Sequence, residues 1–320
     1  MLKSILGDGN HDIYMAILVL AAFIVTFVSL KAGKKLLPKD QGRKFAVNGA
    51  LSEGKPRGAG IILISAFTIL TALIVPLNTE LIIYLGLIYI SMLSGFFDDA
   101  AKVPWGELKK GIIDLVVSFG ASFTYYHYNG SEVTIALVDK SFTIPAVIFV
   151  ILGAVLVWAS INVTNCSDGV DGLCGTLCIV SFSATVIILG KMCGDNEFSQ
   201  MIILMIMCLS AYLWYNASPS KLLMGDAGSR ALGTLMAIAL MKTTAPFLFF
   251  IVCFMLIIDG GLGLIKLSFR RYLRMKNFME NIRTPIHDHM RKNLGWSDTQ
   301  VVFRLAIIQL VAVTALIAYL

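Results

Sequence analysis

The stretch SGFFDDAAK (94–102) ends an apolar run over residues 81–97 and carries two adjacent carboxylates, Asp98 and Asp99, with Lys102 close behind them. Charged side chains are expensive in or beside a bilayer, about 2.5–3.5 kcal/mol each at its centre and less near its surface. Packing gives no reason to place two of them here. The pair therefore indicates a site for a cation, for phosphate chemistry or for both. The alternative is an acidic helix end that pairs with Lys102.

The rest of the 320-residue chain is too apolar for a soluble protein. Hydrophobic residues make up 57%, charged residues only 14%, and the mean hydropathy is +0.80. These values indicate a polytopic membrane protein, with residues 1–320 as a single domain. The N-terminus shows no signal-peptide cleavage pattern, so we expect the first helix to remain as a span.

About twenty apolar residues cross a hydrocarbon core as a helix. The sequence predicts an all-α integral membrane protein with about ten such spans, at residues 12–31, 58–77, 81–97, 110–127, 143–162, 172–190, 199–216, 228–244, 246–266 and 300–320. The connection over 128–142 alternates enough to predict a small hairpin outside the membrane.

Basic residues are distributed unevenly between the two sets of loops. All but four of the 26 Lys and Arg residues fall in or beside the loops after the odd-numbered spans, and the four exceptions are Lys3, Lys140, Lys191 and Lys242. The positive-inside rule places those loops in the cytoplasm and both termini outside. Five polar clusters share this cytoplasmic face: GKPRGAG (54–60), FFDDAAK (96–102), NVTNCSDGVDG (162–172), NASPSKLLMGDAGS (216–229) and TPIHDHM (284–290). This segregation is what a single cytoplasmic active site requires.

The cluster at 162–172 repeats polar side chains every third position: Asn162, Asn165, Asp168 and Asp171. Its glycines, Gly169 among them, let the backbone approach a ligand closely. Amide and carboxylate groups together suit hydrogen bonds to a nucleobase, a ribose or another sugar. The alternative is a capped helix end with an Asx turn.

Three further features carry chemistry. Asp226 stands in GDAGS at a helix start, where backbone amides favour phosphate and the carboxylate could join Asp98 and Asp99 on a cation. His287 and His289 suit hydrogen bonding to phosphate better than zinc binding, or belong to an ordinary surface loop. Asp259 lies inside the ninth span and is either a functional group or an intramembrane hydrogen-bond partner.

Taken together, the clusters indicate Mg²⁺-assisted transfer of a phosphoryl or phosphosugar group at the cytoplasmic membrane surface. One substrate is expected to be soluble and the other a lipid, since a reaction between soluble molecules needs no ten-span scaffold. A secondary transporter is the alternative from another class, but it would show paired repeats and broken helices near the midplane.

Four motifs in order, FFDDAAK, NVTNCSDGVDGL, LMGDAGSRALG and PIHDHMRKNLGWSDTQVVFR, resemble those of the polyprenyl-phosphate N-acetylhexosamine-1-phosphate transferases. The resemblance covers residues 40–310, and the histidine loop favours the muramoyl-pentapeptide branch of the family over its N-acetylglucosamine branch. It implies that Asp98, Asp99 and Asp226 are catalytic and bind Mg²⁺, held chiefly by Asp226. The substrate-binding positions that follow from the motifs are Lys102, Lys110, Asn162, Asn165, Asp168, Gly169, Asp171, Asn216, Leu223, His287 and His289.

The reaction that this resemblance implies joins undecaprenyl phosphate to UDP-N-acetylmuramoyl-pentapeptide and releases UMP, with lipid I as the product. The branch that uses UDP-N-acetylglucosamine is the nearer alternative. The resemblance also implies a bacterial plasma-membrane enzyme that forms a homodimer and binds nucleoside inhibitors such as tunicamycin. No nucleic-acid partner is expected.

The chain departs from the family pattern at three places. Asp288 replaces the middle histidine of the family's HHH loop. The family's GTPTMGG-like motif reads GKPRGAG here, with Lys55, Arg57 and Ala59 substituted. Leu223 stands where many relatives carry Phe against the uracil. These departures bear on substrate contacts rather than on the class of reaction.

Overall fold

The computed structural model describes residues 11–40, 42, 52–101, 103, 105–194 and 197–320. In these ranges the chain is a bundle of helices with one short hairpin. The long helices are α1 (His11–Gly33), α2 (Gly60–Ile74), α3 (Thr79–Asp99), α4 (Glu107–Asn129), α5 (Ala146–Cys166), α6 (Leu173–Cys193), α7 (Glu197–Asn216) and α8 (Gly225–Lys242). The shorter α9 (Phe249–Val252), α10 (Phe254–Leu256), α11 (Leu262–Tyr272) and α12 (Ile286–Asn293) precede the last helix, α13 (Asp298–Tyr319).

Each of the ten predicted spans coincides with helical structure. Within the described ranges, six helices are long and apolar enough to cross a membrane, or seven if the bent pair Pro246–Val252 and Phe254–Tyr272 forms one span. This confirms a mostly helical, membrane-embedded protein. The count of ten crossings stays a prediction, because α2, α4 and α8 are not among these helices, and the orientation of the termini stays one as well.

The hairpin predicted over 128–142 is confirmed. Strands β1 (Glu132–Ile135) and β2 (Lys140–Thr143) pair antiparallel. The backbone N–H of Thr134 donates to the carbonyl of Thr244, 2.9 Å away, just past the end of α8. The hairpin therefore lies at the opposite end of α8 from Asp226.

Helix α8 lies at the centre of the bundle and is packed on all sides. Every residue from Gly225 to Met241 except Asp226 is buried, and α3, α4, α5 and α2 all pack against it. Small residues allow this close approach: a Cβ added at Gly60 would lie 2.0 Å from the backbone nitrogen of Gly228. Since neighbouring helices surround α8, it needs less lipid-facing hydrophobicity than an outer span.

The ninth predicted span is broken. Its two parts, Pro246–Val252 and Phe254–Tyr272, meet at an angle of 73°. Gln309 of α13 bonds the backbone at the break, since its Oε1 accepts from Met255 N at 2.7 Å and its Nε2 donates to Val252 O at 2.6 Å. Backbone groups freed inside a membrane protein need such internal partners. A π-helical turn, Ile257–Gly261, follows the break and carries Asp259.

Candidate active site

Three predicted catalytic aspartates meet at one end of the bundle. Asp98 and Asp99 form the last turn of α3, and Asp226 lies in the first turn of α8. Gly95, one turn before the aspartate pair, makes this contact possible, because a Cβ there would lie 2.3 Å from the backbone carbonyl carbon of Asp226. The end of one helix therefore adjoins the start of another, and carboxylates from both face a common region.

Arg57 lies between two of these carboxylates. Its Nε donates to Asp99 Oδ1 at 2.8 Å, and its Nη2 lies 3.7 Å from Asp226 Oδ1. Its Nη1 also lies 3.6 Å from Asp40 Oδ2, a buried carboxylate of the first loop. One guanidinium thus contacts carboxylates from three distant segments of the chain.

Lys110 of α4 connects the remaining aspartate to the group. Its ammonium forms an ion pair with Asp98 and lies 3.7 Å from Asp226 Oδ2. The other oxygen of Asp98 accepts a hydrogen bond from the backbone N–H of Trp105 at 2.7 Å. Arg57 and Lys110 therefore link the three aspartates through cations rather than letting the carboxylates meet directly.

The three carboxylates differ in their access to solvent. The side chain of Asp99 is fully buried, that of Asp98 is 6% exposed and that of Asp226 is 16% exposed. Burial raises the pKa of Asp226, but Lys110, Arg57, the hydrogen bond from Asn165 and Arg230 together lower it by more, so the pKa lies below the ordinary value. Asp226, which precedes the predicted eighth span, is thus the most accessible of the three and stays ionised.

The electrostatics of Arg57 follow the same balance. Burial lowers the pKa of its guanidinium, whereas Asp99, Asp226 and Asp40 raise it by a larger amount. The net pKa lies above the ordinary value, and the side chain is a permanent cation in the cluster.

The first loop is fastened to the segment before α8 by backbone hydrogen bonds. Leu223 N donates to Pro56 O at 2.8 Å, and Ala59 N donates to Leu223 O at 3.0 Å. Next to these bonds, the ammonium of Lys55 donates to Ser220 Oγ at 3.0 Å and lies 3.8 Å from Asp171. Lys55 and Arg57 consequently face two different sides of the same site.

The end of α5 and the loop after it reach the aspartates, α5 through Asn165 in its last turn. This side chain donates to Ser229 Oγ at 2.9 Å and also hydrogen-bonds Asp226. Asp171 instead accepts from Ser220 N at 2.9 Å. Asp168, half-buried, lies between these two positions in the loop. The end of α5 and this loop therefore join the aspartate cluster to the segment before α8.

Two predicted substrate contacts have local partners in the structure. Asn216 is buried, with its Oδ1 accepting from Gly172 N at 2.8 Å and its Nδ2 donating to Leu222 O at 3.0 Å. Asn162 donates to Trp158 O, 2.8 Å away in its own helix. Asn216 thus holds two loops of the site together, and Asn162 lies one turn further from the aspartates than Asn165.

The histidine loop adjoins the loop after α5. His287 is buried, and its Nδ1 lies 2.8 and 3.0 Å from the two carboxylate oxygens of Asp259. Its ring contacts Gly169, where an added Cβ would lie 2.3 Å from Nε2. His289 has a different environment: its Nδ1 accepts from Arg283 N at 3.3 Å. The two histidines are therefore not equivalent.

Predicted residue Lys102 lies outside the described residues. The sequence marks Arg57 only as a departure from the family's first-loop motif, and it does not predict the central position of this side chain. A charged residue at an uncharged family position was the available signal. Asp40 and the buried ion pair of Arg230 with Asp114, one turn deeper than Asp226, had no sequence signal.

The donor set suits a hard divalent cation. Within the described ranges, no three acidic, His or Cys side chains form a ready metal-binding group. Mg²⁺ does not need one, because it usually binds one or two carboxylates and completes its shell with substrate phosphates and water. Four carboxylates surround two cations here, since Asp40, Asp98, Asp99 and Asp226 face Arg57 and Lys110. This excess of two negative charges fits a divalent metal.

Comparison with known proteins gives a consistent result. The model of glycosyl transferase family 4 matches residues 81–244. A phospho-N-acetylmuramoyl-pentapeptide-transferase of Treponema pallidum is 33% identical over 94% of this chain and 87% of its own length. Proteins of the same name from Clostridium acetobutylicum and from the Wolbachia of Drosophila simulans are 27% and 26% identical, over 93% and 83% of this chain and 92% and 84% of their own lengths. The resemblance inferred from the four motifs is confirmed, and the chain belongs to glycosyl transferase family 4 as a membrane-embedded transferase.

Proposed function

We propose that this enzyme transfers phospho-N-acetylmuramoyl-pentapeptide from its UDP-linked donor to undecaprenyl phosphate, giving lipid I and UMP. The observation that carries the proposal is the joining of Asp98, Asp99 and Asp226 through Arg57 and Lys110 at one end of the bundle. Anionic substrates that exchange a phosphoryl group need a site with both carboxylates and cations. The names of the relatives support the muramoyl-pentapeptide donor over N-acetylglucosamine.

In the proposed reaction, an oxygen of the lipid phosphate attacks the donor phosphorus that carries the sugar. The bond from that phosphorus to the bridging oxygen breaks, and UMP leaves. Lys110 and Arg57 are placed to bind the negative charge of the two phosphates, while Asp98 is our choice for the base that removes a proton from the lipid phosphate.

A two-step route stays open, in which an aspartate attacks first and forms a covalent phosphosugar intermediate. Rapid-quench trapping with labelled donor in the absence of lipid separates the routes. Recovery of labelled enzyme supports the covalent route, and its absence supports direct attack.

We further propose that the reaction depends on Mg²⁺, held chiefly by Asp226 with Asp98 and Asp99 nearby. Asp226 is the most accessible of the three carboxylates, and its pKa lies below the ordinary value, which supports this assignment. Bound Mg²⁺ would neutralise pyrophosphate charge and stabilise the leaving phosphate. Asn165 at the end of α5, with Asp168 and Asp171 in the loop after it, would hold the nucleotide-sugar.

The proposed setting is a bacterial plasma membrane, with the aspartate cluster on the cytoplasmic side and both termini outside. The uneven distribution of basic residues supports this orientation. In peptidoglycan synthesis this would be the first membrane step. A homodimer and inhibition by nucleosides such as tunicamycin are parts of the same proposal.

The test is UMP release by the purified protein with Mg²⁺, undecaprenyl phosphate and each UDP-sugar in turn. We expect turnover with UDP-N-acetylmuramoyl-pentapeptide. Turnover only with UDP-N-acetylglucosamine would overturn the substrate assignment. Absence of UMP with every UDP-sugar would refute the proposed function.

A further inference from the structure

Asp259 is a fully buried carboxylate near the site, and the proposed reaction does not use it. It is 0% exposed and lies in the π-helical turn Ile257–Gly261, just after the break in the ninth span. Inserted π turns occur frequently at functional sites. Gly260, the next residue, packs against α5, since a Cβ there would lie 2.4 Å from Val163 O. The break therefore brings Asp259 to the end of α5, where the loop with Gly169 begins.

The hydrogen bonds of Asp259 converge on one residue. Its Oδ1 accepts from the backbone N–H of His287 at 2.7 Å, and both carboxylate oxygens lie within 3.0 Å of His287 Nδ1. Since Asp259 already accepts the backbone N–H of His287, we assign it as the acceptor in the ring contact too, with the proton on Nδ1. This assignment leaves Nε2 as the ring nitrogen available for other chemistry. Because the backbone N and the ring Nδ1 of His287 both contact Asp259, the position and the rotation of the imidazole are fixed.

The free nitrogen faces the proposed donor-binding loop. His287 Nε2 lies against Gly169, between Asp168 and Asp171 in sequence, and 3.9 Å from Asp288 Oδ1. A side chain at position 169 would occupy the space of the imidazole, so glycine is required for this contact. A carboxylate that accepts a hydrogen bond from one ring nitrogen of a histidine generally sets the tautomer of the ring and the direction of the other nitrogen.

We propose that Asp259 is a positioning residue for the transferase reaction: it holds His287 with Nδ1–H toward itself and presents Nε2 to the donor sugar-phosphate beside Gly169. This inference rests on the proposed function. Asp259 acts only through His287 and does not touch substrate. Removing the carboxylate therefore affects turnover by releasing the imidazole.

The test is a double-mutant cycle on UMP release, using Asp259→Asn, His287→Gln and the double variant. We expect His287→Gln to lower kcat by about 100-fold or more, the range for a lost general acid–base group, and Asp259→Asn to lower it by about 10- to 100-fold, the range for a lost orienting partner. We expect the double variant to lie within about threefold of His287→Gln alone, because groups that act as a unit are not additive. Asp259→Glu, which restores a carboxylate, should recover most of the activity.

Gln309→Leu is the matched control. It removes buried hydrogen bonds from the same break in the ninth span without contacting His287. If Asp259 were merely structural, Gln309→Leu and Asp259→Asn would both lower Tm. In that case the fold-losses of kcat caused by Asp259→Asn and by His287→Gln would multiply in the double variant. That result, or full activity of His287→Gln, overturns the proposal.

A second readout does not depend on turnover. Carbethoxylation of His287 by diethyl pyrocarbonate, mapped by mass spectrometry, should be slow in the unaltered protein and at least fivefold faster in Asp259→Asn, but unchanged in Gln309→Leu and Asp259→Glu. Equal carbethoxylation rates of His287 in all four proteins would refute the positioning role, whether or not UMP is released. Failure of UMP release alone would refute only the proposed reaction.

Discussion

Arg57 offers the sharpest test of the proposed metal site, because the structure predicts the sign of its effect. Its guanidinium lies 3.7 Å from Asp226 Oδ1 and 2.8 Å from Asp99 Oδ1, and it competes for the same negative charge as Mg²⁺. Arg57→Gln removes this cation but keeps a hydrogen-bond donor for Asp99. We expect the substrate-free protein to bind Mg²⁺ more tightly.

The magnitude follows from the distance and the exposure. Two unit charges about 4 Å apart interact by about 1 kcal/mol in water and about 4 kcal/mol near a protein surface. The Arg57 side chain is 20% exposed, which places it between these limits. Because Mg²⁺ carries two charges, the repulsion from Arg57 is twice that of a unit charge at the same distance. A gain of at least about 1.4 kcal/mol corresponds to Mg²⁺ binding that is at least about tenfold tighter.

The assay is calorimetric titration of Mg²⁺ into the detergent-solubilised protein at constant ionic strength, since salt screens this effect. Arg57→Lys retains the charge and should stay within about threefold of the unaltered protein. Lys109→Gln is the matched control: its ammonium lies 3.3 Å from the centroid of the Trp105 ring, so its removal should leave the affinity almost unchanged. Weaker or unaltered Mg²⁺ binding by Arg57→Gln would refute the placement of the metal beside Asp226.

Three further predictions concern the same end of the bundle. Asp226→Asn should lower Mg²⁺-dependent UMP release by at least about 100-fold with little change in Tm; retained activity would remove its metal role. Arg230→Leu leaves Asp114 buried without its partner and should lower the free energy of unfolding by about 3–5 kcal/mol. The double variant Arg230→Leu with Asp114→Leu should recover most of the lost Tm in thermal unfolding. Equal Tm loss in the single and double variants would contradict this reasoning. Gly95→Ala puts a Cβ 2.3 Å from the backbone of Asp226 and should lower both Tm and activity through about 1–3 kcal/mol of overpacking. The control is Gly86→Ala in the same helix, whose added Cβ meets nothing within 4 Å and should be tolerated. Similar losses in both variants would refute the packing argument.

Much of the fold was predictable because membrane insertion imposes simple rules on sequence. Apolar runs of the required length became α1, α3, α5, α6, α7 and α13. The alternation over 128–142 became β1 and β2. Helix α8 was predicted only from residue 228, whereas it begins at Gly225, because hydropathy does not register a polar first turn that carries functional groups.

Site residues were predictable where a charge stood out against apolar surroundings. Asp98, Asp99 and Asp226 were found this way, and the structure brings them together. Lys110 was predicted only through the family motifs and Arg57 was not predicted as a site residue, because both look like ordinary cytoplasmic cations until the first loop and α4 are packed against α3. Pairing across such distances depends on helix contacts that no local pattern encodes.

The sequence by itself determined that this is a membrane transferase whose polar clusters share one face, because lipid tolerates few charges and four motifs in order identify the family. Only the tertiary structure decided which polar groups meet. In the structure Asp259, which the sequence left between two interpretations, contacts His287. The oxygen and the nitrogen of the Asn216 amide each form a hydrogen bond, and together they join two loops. The physical reason is burial: a polar group enclosed in the bundle must find a partner, and which partner lies within reach depends on the bend in the ninth span and the glycine contacts around α8.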